Sequence, residues 1–175
     1  LLLIDDGSQD SSGNICDNYS LADKRIKTIH KSNGGVSSAR QCGLDNSTGE
    51  YVIHIDSDDW IEPHMFQTLI SFADKNQADI VIFDFYRVSK NSIDHIIQKP
   101  SSFDHISVLR DIVSGRLYAS CWNKLVRHSI IIRYDVTFPE GVNLGEDKCF
   151  LAKLLINNIS IAYLPSPLYY YDVVV

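Results

Sequence analysis

The sequence predicts an α/β fold with a largely parallel sheet flanked by helices. Residues 51–60 and 80–85 are short runs rich in Val, Ile and aromatic residues, and they are mostly apolar on both faces, as in strands covered on both sides. Between them lie four apolar residues at helical spacing that we expect to face the sheet: Phe66, Leu69, Ile70 and Ala73. Strands that alternate with helices are typical of the α/β class.

The other predicted elements continue this alternation. Residues 1–4 and 25–30 are predicted strands, and residues 36–44 are a predicted helix. Residues 159–164 form a last predicted strand, and we expect the aromatic segment 168–171 to pack back on the sheet. Two more helices are predicted from apolar stripes, formed by Ile106, Leu109 and Val113 and by Phe150, Leu151, Leu154 and Leu155.

Length and charge limit the classes of function. The 175 residues fit one domain with a sizeable core. The net charge of -6 argues against nucleic acid as a partner, because phosphate neutralisation needs a basic face. No apolar run approaches the length of a membrane span. The four cysteines form no CxxC pair, which favours free thiols in a reducing compartment: Cys16, Cys42, Cys121 and Cys149.

Carboxylates follow two of the predicted strands: Asp5, Asp6, Asp56, Asp58 and Asp59. Ligands of open α/β sheets bind outside the carboxyl ends of the strands. Two like charges about 5 Å apart cost roughly 3 kcal/mol at an effective dielectric of about 20. Three acids within four residues are therefore splayed into water, protonated or bridged by a cation. A solvated turn and a Mg²⁺ or Mn²⁺ site with hard oxygen ligands both remain open.

A glycine loop precedes the predicted helix 36–44. Gly34 and Gly35 could present free backbone amides to an anion at the start of that helix. They could equally form an ordinary turn. Arg40 lies one turn into the helix, where it could face a ligand or solvent.

Glu146 and Asp147 fall in the first turn of the predicted helix that carries Phe150. Acids at helix starts complement the helix dipole and the unpaired amides. The same location keeps a carboxylate ionised and ready to accept a proton, as a general base must. Both interpretations stand for Asp147.

Four segments occur in one order along the chain: LLLIDDGSQD, NGGVSSARQCGL, GEYVIHIDSDDW and GEDKCF. Together they resemble the family-two inverting glycosyltransferases, and WNKL and LYYY resemble softer signatures of that family. The resemblance covers essentially the whole chain. It implies the Rossmann-like nucleotide-diphospho-sugar transferase (glycosyltransferase-A) fold, with a mixed, mostly parallel central sheet flanked by helices.

The resemblance also implies a domain layout. Residues 1–175 would form one glycosyltransferase domain, with residues 1–60 mainly binding the donor and residues 100–175 mainly on the acceptor side. The chain starts without Met inside an apolar run, so we expect it to lack the family's first strand and helix, which form one side of the nucleobase pocket. The chain also departs from the family where Asp172 follows Tyr171, since a basic residue often stands there.

By resemblance, individual acids receive roles in donor binding. Asp6, with Asp5 beside it, would contact the nucleobase, which is usually uracil. Asp56 and Asp58 would hold Mn²⁺ or Mg²⁺ and the donor ribose or diphosphate, with Asp58 as the direct metal ligand. Arg40 matches a helix arginine near the donor.

By the same resemblance, Asp147 would be the catalytic base, with Glu146 beside it in the motif. Trp122 and Lys124 match a motif near the acceptor side. The metal would neutralise the departing diphosphate while Asp147 takes the proton of the attacking hydroxyl. A single displacement of this kind inverts the anomeric centre.

The implied function is metal-dependent transfer of a sugar from a nucleotide-sugar, first of all a UDP-sugar, to an acceptor hydroxyl in cell-surface polysaccharide or glycan synthesis. The acceptor would be a glycan or a lipid-linked sugar. We expect a cytoplasmic location, with peripheral attachment to the inner membrane face left open by a lipid-linked acceptor.

Three alternatives belong to other classes. A catalytically incomplete module that binds sugar nucleotides is consistent with a shortened chain. A signalling domain phosphorylated on Asp56 would explain the paired acids, but the GSQDSSG turn, the DSDD cluster and the length disfavour it. A phosphatase with an Asp nucleophile is disfavoured because Trp60 stands where a small or β-branched residue is expected.

Overall fold

A two-stranded parallel sheet organises the first part of the chain. In the computed structural model, which describes residues 1–174, residues 1–49 and 137–146 form one of two units. Its strands β1 (Leu2–Asp5) and β2 (Lys27–His30) pair in parallel, and the helix α1 (Ser12–Ala22) connects them along the chain. The helix α2 (Val36–Asp45) packs against β1. The predicted elements of this region are therefore confirmed, with ends shifted by a residue or two.

Two glycines fix the loops of this unit. Gly7 has a φ of 78°, and a Cβ there would lie 2.9 Å from the Asn33 backbone nitrogen. Gly35 has a φ of 81°, and its Cβ would lie 2.2 Å from Oδ1 of Asn143. Left-handed backbone and close approach both favour glycine. The turn after β1 and the loop before α2 thus depend on these two residues.

The second unit comprises residues 50–136 and 147 onward, and it is built on a six-stranded sheet. The strand order is β3-β7-β5-β8-β4, with β6 paired to β5. The strands are β3 (Tyr51–Val52), β4 (Trp60–Ile61), β5 (Ile80–Val88), β6 (Ile93–Ile96), β7 (Lys124–Arg127) and β8 (Ile161–Asp172). The helices are α3 (Met65–Asn76), α4 (His105–Val113), α5 (His128–Arg133) and α6, whose range Glu146–Leu155 begins with the last residue of the first unit.

The sheets are mixed, as predicted, but less parallel than the sequence suggests. Parallel pairing joins β1 to β2 and β5 to β8. The other four pairings among residues 1–174 are antiparallel: β3–β7, β4–β8, β5–β6 and β5–β7. Apolar content on both faces shows that a strand is covered, and it does not fix the direction of its neighbours.

The predicted strand 51–60 is wrong as a single element. Only Tyr51–Val52 and Trp60–Ile61 are strands, and each pairs antiparallel with a partner. Between them the chain turns at residues 57–58. The Asp56 N–H donates to the Tyr169 hydroxyl at 3.1 Å instead of to a neighbouring strand. The interruption places the acids in a turn that side chains hold.

Two other elements differ from prediction. Residues 159–164 and 168–171 belong mostly to one strand, β8, whose parallel register with β5 shifts around Asp84 and Pro167. Proline has no N–H for the ladder, which explains the irregularity. The predicted helix with Ile106, Leu109 and Val113 is confirmed as α4, but its buried apolar residues are Val108 and Ile112, so it packs through a different face.

A core cluster of the second unit joins α3, β5, β7 and β8, and α6 buries an apolar face of its own. Leu69 and Ala73 of α3 are buried, as predicted, whereas Phe66 and Ile70 are exposed and Met65 completes the inner face. The apolar face of α6 is confirmed in full, with Phe150, Leu151, Leu154 and Leu155 all buried. No helix among residues 1–174 combines the length and apolar character needed to span a bilayer.

Candidate functional site

Asp5 ends β1 and is enclosed by donors of its own unit. Its carboxylate accepts the Ser8 N–H at 2.9 Å and lies 2.8 Å from Nδ1 of His30, whose Nε2 lies 2.9 Å from Asp17. Hydrogen bonds from Ser8, then His30, lower the pKa of Asp5 to about 2. The same two acids raise the pKa of His30. Asp5 is therefore ionised and held in a fixed place.

Asp6 joins the turn after β1 to the glycine loop. Its carboxylate accepts the Gly34 N–H at 3.0 Å and the Gly35 N–H at 2.8 Å, and it pairs with the Lys31 ammonium. Partial burial would raise the pKa of Asp6, but the hydrogen bonds from Lys31, Gly34 and Gly35 lower it overall. The loop amides that the sequence offers to an external anion thus bind the protein's own carboxylate.

Arg40 and Glu146 form an ion pair in this unit. Nη1 of Arg40 donates to Oε1 of Glu146, and the two side chains are only 12% and 10% exposed. Both charges are thereby compensated away from water, as buried ions require. The predicted roles of Arg40 near the donor and of Glu146 in the catalytic motif stay predictions, and the structure adds a role in folding for both.

In the second unit, Asp59 closes the acidic turn. Its carboxylate accepts the Tyr169 hydroxyl at 2.6 Å and the Asp172 N–H at 2.8 Å. Burial, helped by the charges of Asp58 and Asp56, raises the pKa of Asp59 against these two hydrogen bonds. Asp59 therefore holds the turn onto β8, and its donors are neutral groups.

Asp56 and Asp58 are the other two acids of this turn. Asp58 is exposed and makes no hydrogen bond or ion pair within the described residues 1–174. No group of three or more His, Cys, Asp or Glu side chains in that range is arranged to hold a metal ion. Two carboxylates are nevertheless enough for Mg²⁺-like ions that take their other ligands from phosphates and water.

Asp147 lies in the first turn of α6. Its Oδ2 accepts the Cys121 N–H at 2.9 Å. Cys121 belongs to the loop that precedes β7, so the segment before one strand fixes a carboxylate at the start of a helix. A hydrogen bond of this kind favours the ionised form of an acid.

Trp122 and Lys124, predicted near the acceptor side, are both buried. Trp122 stacks on Tyr169 with ring centroids 4.6 Å apart and meets Phe85 edge to face at 4.7 Å. Lys124 donates hydrogen bonds to Tyr118, Ser120 and Asn123. Their role toward an acceptor stays a prediction, while their contacts organise the core.

The structure adds residues that the sequence analysis missed. Lys31 follows β2 just as Asp6 follows β1, so the rule that selected the acids also applies to the lysine. Tyr169 couples the backbone of Asp56 to the side chain of Asp59 through one hydroxyl. No sequence signal distinguishes it from Tyr170 and Tyr171, because the register of β8 decides which of the three hydroxyls reaches Asp56 and Asp59.

Comparison with known proteins agrees with this architecture. The profile of the family described as Glycosyl transferase family 2 matches residues 1–134. EpsJ of Bacillus subtilis, described as an uncharacterized glycosyltransferase, is 33% identical over 159 residues, which cover 86% of this chain and 45% of EpsJ. The chain spans about half the length of the curated relatives EpsJ and EpsH.

Two solved structures share the fold. Staphylococcus aureus TarS 1–349 in complex with UDP-GlcNAc aligns with a TM-score of 0.81 and 24% identity, over 98% of this chain and 48% of that chain. TarS is described as a poly(ribitol-phosphate) beta-N-acetylglucosaminyltransferase. The mannosyltransferase PcManGT from Pyrobaculum calidifontis, in complex with GDP-Man and Mn²⁺, aligns with a TM-score of 0.64 and 16% identity, over 97% of this chain and 46% of that chain.

Proposed function

The chain belongs to glycosyl transferase family 2 and has the glycosyltransferase-A fold, and we propose that it transfers a sugar from a UDP-sugar to an acceptor hydroxyl with inversion. The observation that carries this proposal is the turn of Asp56, Asp58 and Asp59. Three acids are held together there, and burial with mutual repulsion raises the pKa of one of them. Such a turn is suited to a cation and, through it, to a diphosphate.

The donor assignment rests on the fold neighbours and on Asp6. TarS was solved with UDP-GlcNAc and aligns more closely than PcManGT, which was solved with GDP-Man. Asp6 is an ionised acceptor just after β1, and an N–H of a nucleobase such as uracil would share or replace its hydrogen bonds from Lys31 and the loop amides. Asp5 would act by fixing the turn that carries Asp6.

Asp56 and Asp58 fit a divalent ion, Mn²⁺ or Mg²⁺. Asp59 is engaged by Tyr169 and Asp172, and the resemblance of the motif assigns the metal to the exposed Asp58 and to Asp56. When bound, the ion would supply positive charge to the departing UDP. PcManGT, solved with Mn²⁺, supports this choice of metal.

Asp147 would act as the general base. The acceptor oxygen forms a bond to the anomeric carbon as the bond from that carbon to the UDP oxygen breaks, and the hydroxyl proton passes to Asp147. The hydrogen bond from Cys121 fixes the carboxylate for this transfer. Since a single displacement suffices, no enzyme nucleophile is required.

The acceptor is proposed at a coarser level. TarS acts on poly(ribitol-phosphate) by its description, and we infer that this chain extends a glycan or lipid-linked sugar in polysaccharide synthesis. The four free cysteines fit a reducing compartment, such as the cytoplasm or the inner membrane face.

The test is a turnover assay with a panel of UDP- and GDP-sugars and Mn²⁺, in which UDP or GDP release is measured. We expect Asp147→Asn to lower turnover by about 10²- to 10⁴-fold while donor binding is retained. Asp45→Asn, an exposed acid at the end of α2, is the matched control and should behave as wild type. An Asp147→Asn protein with full turnover would rule out this base.

A second candidate is a catalytically incomplete sugar-nucleotide-binding module. It is favoured by the turn of Asp56, Asp58 and Asp59, which could hold a metal and a diphosphate whether or not Asp147 acts as a base. In the same assay it would bind a UDP-sugar in a metal-dependent way without releasing UDP. A chain that binds none of the panel would contradict both candidates.

A further inference from the structure

Lys124 is a buried cation whose charge the proposed reaction leaves unexplained. It begins β7 and is 1% exposed. Its ammonium donates to the Tyr118 and Ser120 carbonyl oxygens at 2.8 Å each and to Oδ1 of Asn123 at 2.7 Å. All three N–H groups are therefore used within the preceding loop, residues 118–123.

The side chain remains charged near neutral pH. Burial lowers the pKa of Lys124 to about 8, while the negative charges of the Asp147 carboxylate and, when ionised, of Cys121 favour its charged form. Burying an ammonium is costly even when it is hydrogen-bonded. A neutral side chain could hydrogen-bond the same loop without the free-energy cost of burying a charge. The charge is therefore expected to interact with a group outside the loop.

One peptide group connects this charge to Asp147. The Ser120 carbonyl accepts the Lys124 ammonium, and the N–H of the next residue, Cys121, donates to Oδ2 of Asp147 at 2.9 Å. The two groups belong to the same planar peptide unit. A cation at its oxygen polarises the unit and makes its N–H a stronger donor, because chained hydrogen bonds strengthen one another.

The loop is also fixed from its other side. The Ser120 hydroxyl donates to Oδ1 of Asn123 at 2.9 Å, and Nδ2 of Asn123 donates to the Phe83 carbonyl of β5 at 3.3 Å. The Lys124 N–H closes the turn on the Cys121 carbonyl at 3.3 Å. The peptide that meets Asp147 is thus anchored to the central strand.

We propose that Lys124 is a positioning residue that, through the Ser120–Cys121 peptide group, orients the Asp147 carboxylate and holds it ionised. The titratable groups that face Lys124 are the Cys121 thiol and Asp147. Glu146 and Lys148 flank Asp147 along α6. The inference rests on the proposed function in one respect, namely that Asp147 is the base.

The experiment is a pH titration of the whole chain, with aspartate labelled with carbon-13 at the carboxyl carbon. The Asp147 signal is assigned by its loss in Asp147→Asn. Lys124→Gln keeps N–H donors and removes the charge, so the Asp147 midpoint should rise by about half a pH unit or more. Lys148→Gln removes an exposed lysine adjacent in sequence and should leave the midpoint unchanged.

A folded Lys124→Gln protein with the wild-type Asp147 midpoint would overturn the proposal. If that variant does not fold, the wild-type Cys121 amide proton decides. It should move once with Asp147 in acid and again near pH 8 with Lys124, and both steps should persist in Cys121→Ala, where no thiol titrates at that position. If the Cys121 amide proton shifted only in the acid range, the proposed link between Lys124 and Asp147 would be contradicted.

Neither the carboxyl signal nor the amide signal depends on sugar transfer. The link between Lys124 and Asp147 and the role of Asp147 as base can therefore be refuted independently. If Asp147 is the base, the acid limb of the turnover profile should move with its midpoint in Lys124→Gln. A shifted midpoint with an unshifted turnover profile would uphold the coupling and refute the base assignment.

Discussion

The two acidic turns differ in what compensates their charge. In the turn after β1, Asp5 and Asp6 face His30, Lys31 and two glycine amides, and the pKa of both acids is lowered. In the turn before β4, Asp59 has only the Tyr169 hydroxyl and a backbone N–H, and its pKa is raised. Asp58 beside it is exposed.

Two similar acidic motifs in one chain are thus built for different tasks. The first turn is electrostatically satisfied by the protein, so its acids brace the glycine loop before any ligand arrives. In the second turn, Asp59 is held by two neutral donors, which do not offset its burial and the nearby charges of Asp58 and Asp56. A cation is therefore expected to bind more favourably at the second turn than at the first, and the second turn is the proposed metal site.

The largest loss of stability is expected when Asp6, which holds the glycine loop in place, is removed. Asp6→Ala removes the acceptor of Gly34, Gly35 and Lys31 together, and it should lower the free energy of unfolding by about 2 to 3 kcal/mol. Urea denaturation in EDTA measures the change. Asp10→Ala, in the same loop, is the control and should cost less than about 1 kcal/mol, since among residues 1–174 its carboxylate bonds to Ser12 alone. If Asp6→Ala and Asp10→Ala lowered the free energy of unfolding equally, the hydrogen bonds of Asp6 would not hold the first turn in the way that distinguishes it from the second.

Glu146→Gln should have the next largest effect. It leaves the Arg40 charge without its carboxylate partner in a mostly buried place, which should cost about 2 kcal/mol of stability. Because Glu146 is assigned to folding and Asp147 to chemistry, turnover of the folded variant at saturating donor should fall far less than in Asp147→Asn. Comparable turnover losses in the two variants would show that Glu146 takes part in the reaction.

Asp58→Asn should change stability in the opposite direction. Without divalent ions it removes a charge next to Asp56 and Asp59, so the free energy of unfolding should rise by up to about 1 kcal/mol. The same urea experiment in EDTA gives this value. A clear loss of stability would mean that the second turn is braced as the first is.

The smallest effect concerns pH. The pKa of His30 is raised by Asp5 and Asp17, so its contribution to stability is complete below about 6.5, its ordinary value, and is lost as pH rises through the raised pKa. The melting temperature of His30→Asn should therefore lie below wild type most clearly at pH 5.5 to 6. By pH 8.5 the difference in melting temperature between wild type and His30→Asn should be smaller. A difference that does not change with pH would show that the charge of His30 does not contribute to stability.

Much of the fold could be predicted because burial patterns are local. The strand at Ile80 and the apolar face of α6 follow from periodicity alone, and the acids at strand ends follow from the α/β rule. The interruption of residues 51–60 could not be predicted, since it depends on the hydroxyl of Tyr169, more than a hundred positions away. Tertiary contacts override local pattern at that turn.

The candidate site was foreseen unevenly for a similar reason. Motifs identified which acids matter, but they could not show that Asp6 is occupied by Gly34 and Gly35 or that Lys124 is enclosed by its own loop. Burial and hydrogen-bond partners of charged side chains are set by the folded backbone. Sequence spacing alone therefore gave the chemistry of these groups without their partners.

The central claim is that the turn of Asp56 and Asp58 binds UDP through a divalent ion. Calorimetric titration of UDP into the chain, with Mn²⁺ and with EDTA, tests it most directly. We expect wild type to bind UDP at least about tenfold more tightly with Mn²⁺, and Asp58→Asn to lose that gain. Equal affinity with and without the metal, or full Mn²⁺-dependent binding by Asp58→Asn, would contradict the account.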